Sequence, residues 1–230
     1  MSHACFPVSL LLDNRPCLVV GGGRVAARKI AALLEAGARV TVVAPELAPS
    51  LLSLEQEQKI TCCRRGFIPA DLNGMLLVIA ATDDALVQQQ VFQAAEEKNI
   101  LVNVADVPSR CSFFMPAVVR RGPVSVAVST GGASPALAAH IRRELEKMIG
   151  PQYGFAAELL GKLRPVVLQE SADCDRNHRL FAGLLACGLV EKIAGNQWEQ
   201  VREMAVAAAG EEAAVIVAAL SQETAERKSG

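Results

Sequence analysis

The sequence has almost no net charge, three histidines, one tyrosine and no Cys-x-x-Cys pair, and each shortage removes a class of function. A formal net charge of −1 leaves no global field to attract nucleic acid, so any polyanionic ligand must be held by a local basic patch. None of His3, His140 and His178 has a partner at the ligand spacing of a catalytic zinc, so no metal ligand set is expected. The only tyrosine, Tyr153, has Ala157 four residues on, which excludes a Tyr-x-x-x-Lys proton relay. Seven cysteines, odd in number and without zinc-type spacing, read as reduced thiols. No apolar run is long enough to cross a bilayer, so no membrane is expected. Met1 to Pro7 also lacks the basic segment and apolar core of a secretory leader, which makes the cytoplasm the expected compartment. There is no internal repeat and no low-complexity tract.

What is present describes a globular chain of one to two domains: 230 residues, 51% hydrophobic and 20% charged. Three zones differ in texture. In the first, residues 1–112, short β-branched runs alternate with Ala/Leu-rich stretches, the pattern of parallel βα units. Strands are expected at Cys17 to Val20, Arg39 to Val43, Lys59 to Arg64, Leu76 to Ala80 and Ile100 to Val104. Helices are expected at Val25 to Ala36, Leu47 to Gln58 and from Thr82-Asp83-Asp84 to about Lys98. In residues 113–150 the period changes. Phe113 to Arg120 and Val124 to Val128 flank Arg121-Gly122-Pro123 as a strand pair, and Ser134-Pro135 starts a helix with an apolar stripe of Leu137, Ile141, Leu145 and Met148. Residues 151–230 read as helical, with polar breaks at Ser171 to Asn177 and Gly195-Asn196 and a frayed end over Gln222 to Gly230.

The sharpest local feature is Gly21-Gly22-Gly23-Arg24-Val25-Ala26, because a strand precedes it and a helix follows it. That context is what a dinucleotide fingerprint requires: Gly21 for the turn, Gly23 for the approach of a pyrophosphate, and Ala26 for close helix packing. Free amides at the helix start attract the anion. A Rossmann-like parallel sheet therefore follows. The acid that usually grips the adenine ribose is missing, since Val43-Ala44-Pro45 occupies the end of the second strand and Glu46 lies beyond it. No Arg or Lys falls within Ala44 to Ser50 to receive a 2′-phosphate, which favours NAD over NADP.

Asp106 follows the last strand at the carboxyl edge of the sheet, where it is placed to act as a general base. On local sequence alone the stronger reading is that Asp106-Val107-Pro108 is a turn whose aspartate bonds its own backbone. Arg110, Arg120, Arg121, Arg142 and Arg143 are either carboxylate donors or a solvated basic face. His140 is either a proton or metal contact or a structural histidine.

Four blocks taken together resemble the siroheme synthase N-terminal family (precorrin-2 dehydrogenase/sirohydrochlorin ferrochelatase). They are the run from Leu18 to Lys29, Ala80-Ala81-Thr82-Asp83-Asp84, Asn103-Val104-Ala105-Asp106 and Ser112-Phe113-Phe114-Met115-Pro116-Ala117. A fifth, from Val126 to Leu137, strengthens the match, and the blocks span about residues 6 to 150. The resemblance implies NAD-dependent oxidation of precorrin-2 to sirohydrochlorin, with ferrous iron as a transient substrate where siroheme is then made. It implies a catalytic Asp106, a tetrapyrrole contact from Thr130 and dinucleotide contacts from Arg24, Val25, Pro45, Glu46, Thr82 and Asp83; the residues themselves add Gly21, Gly22 and Gly23 of the turn on the dinucleotide side, and Gly131 and Ser134 at the helix start with Arg120 and Arg121 for the substrate carboxylates. It also implies a homodimer. The expected fold class is α/β: a Rossmann-like domain, a small α+β dimerisation segment over residues 113–150 and a C-terminal helical domain. Since the chain ends at Gly230, its tetrapyrrole is expected to come from another polypeptide. The rival readings are a dehydrogenase without chelatase activity, a chelatase that has lost NAD binding, and a non-catalytic NAD sensor.

Overall fold

The computed structural model describes residues 5–170 and 173–229, so His3, Ser171, Ala172 and Gly230 lie outside it. The chain divides into two compact units, Met1–Met115 with Gly131–Ala133, and Pro116–Thr130 with Ser134–Gly230. The hairpin region of the middle zone thus packs with the helical region in one unit.

In the first unit, strands β1 (Pro16–Val20), β2 (Arg39–Val43), β3 (Ile60–Cys63), β4 (Leu77–Ala80) and β5 (Leu101–Val104) form one sheet in the order β3-β2-β1-β4-β5. Every pairing is parallel. Helices α1 (Arg24–Glu35), α2 (Pro49–Gln56) and α3 (Ala85–Glu97) make crossovers. Strand β1 is apolar throughout because both its faces are covered, as parallel strands require. Cys17 and Val19 join the cluster that holds Ala26, Ile30 and Leu33 of α1, whereas Leu18 and Val20 join the one that holds Val91, Ala94 and Ala95 of α3. Burial of Ile30 and Leu33 stabilises the unit by about 3–6 kcal/mol together and fixes the start of α1 at the end of β1. Helix α2 is shorter than expected, since Pro49 suits a first helical position and Ala48 is still extended. Helix α3 begins at Ala85 because the Asp84 carboxylate accepts the amides of Leu86 (2.8 Å) and Val87 (3.2 Å).

The second unit opens with an antiparallel pair, β6 (Ala117–Arg121) and β7 (Val124–Val128), turned at Gly122. Six helices follow among the described residues: α4 (Pro135–Met148), α5 (Pro151–Glu170), α6 (Cys174–Ala186), α7 (Leu189–Ala194), α8 (Trp198–Ala209) and α9 (Glu212–Ser229). Leu159, Leu163 and Val167 of α5 pack with Leu189, Val201, Val217 and Leu220. Helix α5 lies so close to the hairpin that a Cβ on Gly154 would stand 2.6 Å from the Arg121 carbonyl oxygen.

Four expectations need correction. The first strand of the hairpin starts at Ala117, not Phe113, because Pro116 has no N–H for a ladder and Phe113 and Met115 pack against the sheet core of the first unit. Cys174 to Asn177 are helical, capped by Asp173, and Asn177 is buried. Helix α9 continues to Ser229. The stripe on α4 is not covered by this chain: Leu137 is 50%, Ile141 37% and Met148 72% exposed. No helix among the described residues is long and apolar enough to cross a membrane.

Candidate functional site

The sheet order reverses direction at β1, whose neighbours are β2 and β4, and open α/β sheets bind ligands at such a switch point beyond the carboxyl ends of the strands. A cleft of about 580 Å³ lies there, lined by Gly21, Gly22, Gly23, Arg24, Val25, Ala44, Pro45, Glu46, Ala81, Thr82 and Asp83. All nine residues expected to touch a dinucleotide are on its walls.

The glycines are required for different reasons. Gly21 has φ +123°, and a Cβ there would meet the Ala81 carbonyl oxygen at 2.1 Å. Gly22 carries no such strain, but its Cβ would meet the Glu46 carbonyl oxygen at 1.9 Å. Gly23 faces open space, with nothing within 4 Å of a Cβ position. It caps α1 without a side-chain hydrogen bond, so the first-turn amides of Arg24, Val25 and Ala26 are left for an anion, and the first helical bond is Ala27 N–H to Gly23 O at 3.0 Å. Open space in front of Gly23 and unused amides behind it are what a pyrophosphate needs.

Main-chain hydrogen bonds hold the surrounding loops: Gly21 N to Val43 O (3.0 Å), Ala48 N to Gly22 O (2.8 Å) and Ala81 N to Val20 O (2.7 Å). The bond at Ala48 ties the chain after β2 to the glycine turn, and Glu46, two residues before it, lines the cleft. Arg24 brings a cation to the same cleft from α1. The search for a basic residue confined to Ala44 to Ser50 misses it. Thr82 is tied down, its Oγ1 accepting from Asp84 N (3.3 Å) and its carbonyl from Gln88 Nε2 (2.7 Å).

Asp106 lies in the turn after β5, exposed, with φ +62°. Its carboxylate makes no hydrogen bond among the described residues, so the self-bonded turn reading does not hold. An aspartate tolerates this region better than most residues, and such backbone is concentrated at functional sites. Beneath the turn, Cys111 Sγ accepts from Val104 N (3.3 Å) and donates to the Val104 and Val107 carbonyls (3.3 and 3.4 Å). Burial holds this thiol above its ordinary pKa. Asn103 Nδ2 donates to Phe113 O at 3.0 Å, but its Oδ1 is buried and accepts nothing. Half-buried Lys29 on α1 loses basicity mainly through desolvation and then through Arg28, while Cys111 and Asp106 act in the opposite sense. Lys29 and the orphaned Asn103 oxygen went unnoticed in the sequence, although an asparagine inside Leu101-Val102-Asn103-Val104 was a visible polar break in an apolar strand.

In the second unit, Thr130 Oγ1 accepts from Ser134 N (3.0 Å), and Ser134 Oγ accepts from Leu137 N (3.2 Å) as the cap of α4. Arg121 serves the other end of that helix, donating through Nε to Ile149 O (2.9 Å) and through Nη2 to Glu146 O (3.3 Å). Arg142 pairs with Glu146 at 2.6 Å. The side chains of Arg110 and Arg143 make neither hydrogen bond nor ion pair among the described residues. Gly131 belongs to the first unit by compactness, with φ +59°.

The fold and this cleft define a dinucleotide-binding protein of the Rossmann type. Residues 8–117 match a family described as "Putative NAD(P)-binding", and residues 121–148 match the sirohaem biosynthesis protein central family. The siroheme synthases of Zymomonas mobilis subsp. mobilis and Thioalkalivibrio sulfidiphilus are 40% and 42% identical to the chain over 198 residues, 86% of its length. The chain spans only 42% and 40% of those relatives. The solved structure titled "SirC, precorrin-2 dehydrogenase" aligns with a TM-score of 0.71 at 28% identity, covering 87% of this chain and 98% of that one. The chain belongs to the siroheme synthase N-terminal family.

Proposed function

We propose that the chain oxidises precorrin-2 to sirohydrochlorin with NAD and then inserts ferrous iron, a substrate, to give siroheme. The observation that carries this reading is the match to SirC over nearly that protein's whole length, together with an open cleft at the switch point and an unbonded carboxylate on the same sheet edge. NAD, when bound, supplies a hydride acceptor. The amides of Arg24, Val25 and Ala26 hold its pyrophosphate, Glu46 accepts from ribose hydroxyls, and the absence of a side chain at Gly23 admits both. Asp106 takes the proton that leaves the tetrapyrrole as the hydride departs, and in metal insertion takes protons from pyrrole nitrogens. Being exposed and unbonded, it is free to do so without breaking an existing contact.

The substrate is a polycarboxylate and the chain is near neutral, so local cations must receive it. Arg110 and Arg143 suit that role better than Arg121, whose donors hold α4. Thr130 and Ser134 bring hydroxyls to the α4 start, next to Gly131. The bare α4 stripe supports a homodimer built through this region. Seven unbridged cysteines support a reducing, cytoplasmic setting. Oxidation without metal insertion is the second reading, favoured by the activity that SirC's title gives.

Anaerobic incubation with precorrin-2 and NAD, followed by ferrous iron, tests both steps. Wild type is expected to release NADH and then shift the pigment spectrum. Asp106→Asn, which keeps the backbone conformation accessible, is expected to lose about 10²–10⁴-fold in rate while binding NAD as before. No NADH from wild type would end the enzyme reading. NADH without metal uptake would select the second one.

A further inference from the structure

The second unit holds a separate cavity of about 480 Å³ between α5 and α6, a volume within the range of small-molecule sites. Leu160, Leu168 and Phe181 give it apolar walls, and Gly161 opens it further, since nothing lies within 4 Å of a Cβ position there. Pro165, inside α5, has no N–H to return to the Gly161 carbonyl, so one helical hydrogen bond is missing beside the cavity although the helix runs on to Glu170.

The polar lining is one-sided. Among the described residues Arg164 is the one with a permanent charge that lines the cavity, no lining residue is acidic, and the Arg164 side chain makes neither hydrogen bond nor ion pair. Asn177, 5% exposed, and His178 line it from α6. A planar guanidinium with no carboxylate of its own, set in an apolar concavity, matches a carboxylate carried on an apolar body. A polycarboxylate fits poorly, having one cation to meet it.

We infer that this cavity is a binding site for a small amphipathic monocarboxylate, of the kind a medium-chain fatty acid represents, with Arg164 receiving the carboxylate and Leu160, Leu168 and Phe181 the chain. The site is independent of the cofactor cleft and does not rest on the proposed tetrapyrrole chemistry.

Calorimetric titration of the full chain with octanoate tests it, with octan-1-ol as the uncharged control. Octanoate is expected to saturate one site per chain and octan-1-ol to bind about tenfold more weakly or worse, the usual consequence of losing a charge-assisted hydrogen bond. Arg164→Gln should weaken octanoate by a similar factor. Gly161→Leu, which fills the cavity with a good helix former, should abolish binding with the helical circular dichroism and the dinucleotide titration unchanged. Cys174 lines the cavity and is exposed, so octanoate should slow its alkylation and leave exposed Cys187 unaffected. Absence of saturable binding, or wild-type affinity in both variants, overturns the inference. Competition between precorrin-2 and octanoate, with a raised KM in Arg164→Gln, would make the cavity an arm of the substrate site and overturn it too.

Discussion

Gly21 and Gly23 are two residues apart in one motif, yet alanine at each should fail in opposite ways. At Gly21 the new methyl meets a main-chain carbonyl at 2.1 Å, in a backbone conformation of φ +123° that side chains rarely adopt. The conformational strain is about 1–3 kcal/mol and the overlap about 1–3 kcal/mol more, because neither carbonyl nor strand end can move without disturbing β4. Against a total stability of about 5–15 kcal/mol, a loss of about 2–6 kcal/mol is severe. For a unit of this size it lowers the melting temperature by roughly 10–25 °C. At Gly23, φ is −87° and the methyl meets nothing, so the change is confined to a poorer helix cap, at most about 1 kcal/mol. The same methyl stands where a pyrophosphate must approach the backbone, so affinity for NAD should fall tenfold or more. Thermal melts and a fluorescence titration with NADH on both variants separate the effects. A Gly23→Ala protein that binds NADH like wild type, or a Gly21→Ala protein that melts like wild type, would refute the assignment of strain to one glycine and ligand access to the other.

Replacing Ile141 and Met148 by Asp on the bare face of α4 should leave circular dichroism unchanged and convert a sedimenting dimer into a monomer; a monomeric wild type would dismiss the dimer. The Asp71 carboxylate accepts from Arg65 Nη1 at 2.8 Å and from Ile68 N at 3.0 Å, which holds its pKa below the ordinary carboxylate value. A depressed folded-state value stabilises the protein above the unfolded pKa, and that stability is lost as pH falls through the folded one. Asp71→Asn should therefore cost about 1 kcal/mol at neutral pH, with wild type and variant converging in acid; a pH-independent difference in urea midpoint would contradict this. Burial pushes the Cys17 thiol up to about 11, so iodoacetamide at pH 8 should spare it in the native protein while labelling exposed Cys174 and Cys187, and urea should abolish the protection.

Strands β1, β2, β4 and β5 were readable because each is an apolar run bounded by glycine or polar residues, and a doubly covered strand needs little else. The nucleotide turn was readable for the same reason: its constraints are local. Elsewhere tertiary partners decided. Phe113 and Met115 look like the start of a strand but are core residues of the sheet unit, cut from the hairpin by Pro116. The polar stretch after Ser221 looks frayed, yet Ala213, Val217 and Leu220 of the same helix are buried, and Glu, Ala, Arg and Lys carry a helix onward from such an anchor. Glu46 lines the cleft beside a main-chain tie between Ala48 and Gly22, invisible in linear spacing. Arg121 found its acceptor 28 residues away.

The cleft is closed in by main chain, loop against loop, with carbonyls where other pockets keep side chains. Away from Gly21 and Gly22, mutation has little purchase on such walls, since almost any residue at Val43, Ala48 or Ala81 offers the same N–H or C=O. The variable part is the rim, where Arg24, Pro45, Glu46 and Asp83 project from three separate bends. A shape that is inherited unchanged can therefore be given a new preference among nucleotides by exchanging charges at its lip, and a single reversal at Glu46 is the shortest route from one phosphate pattern to another.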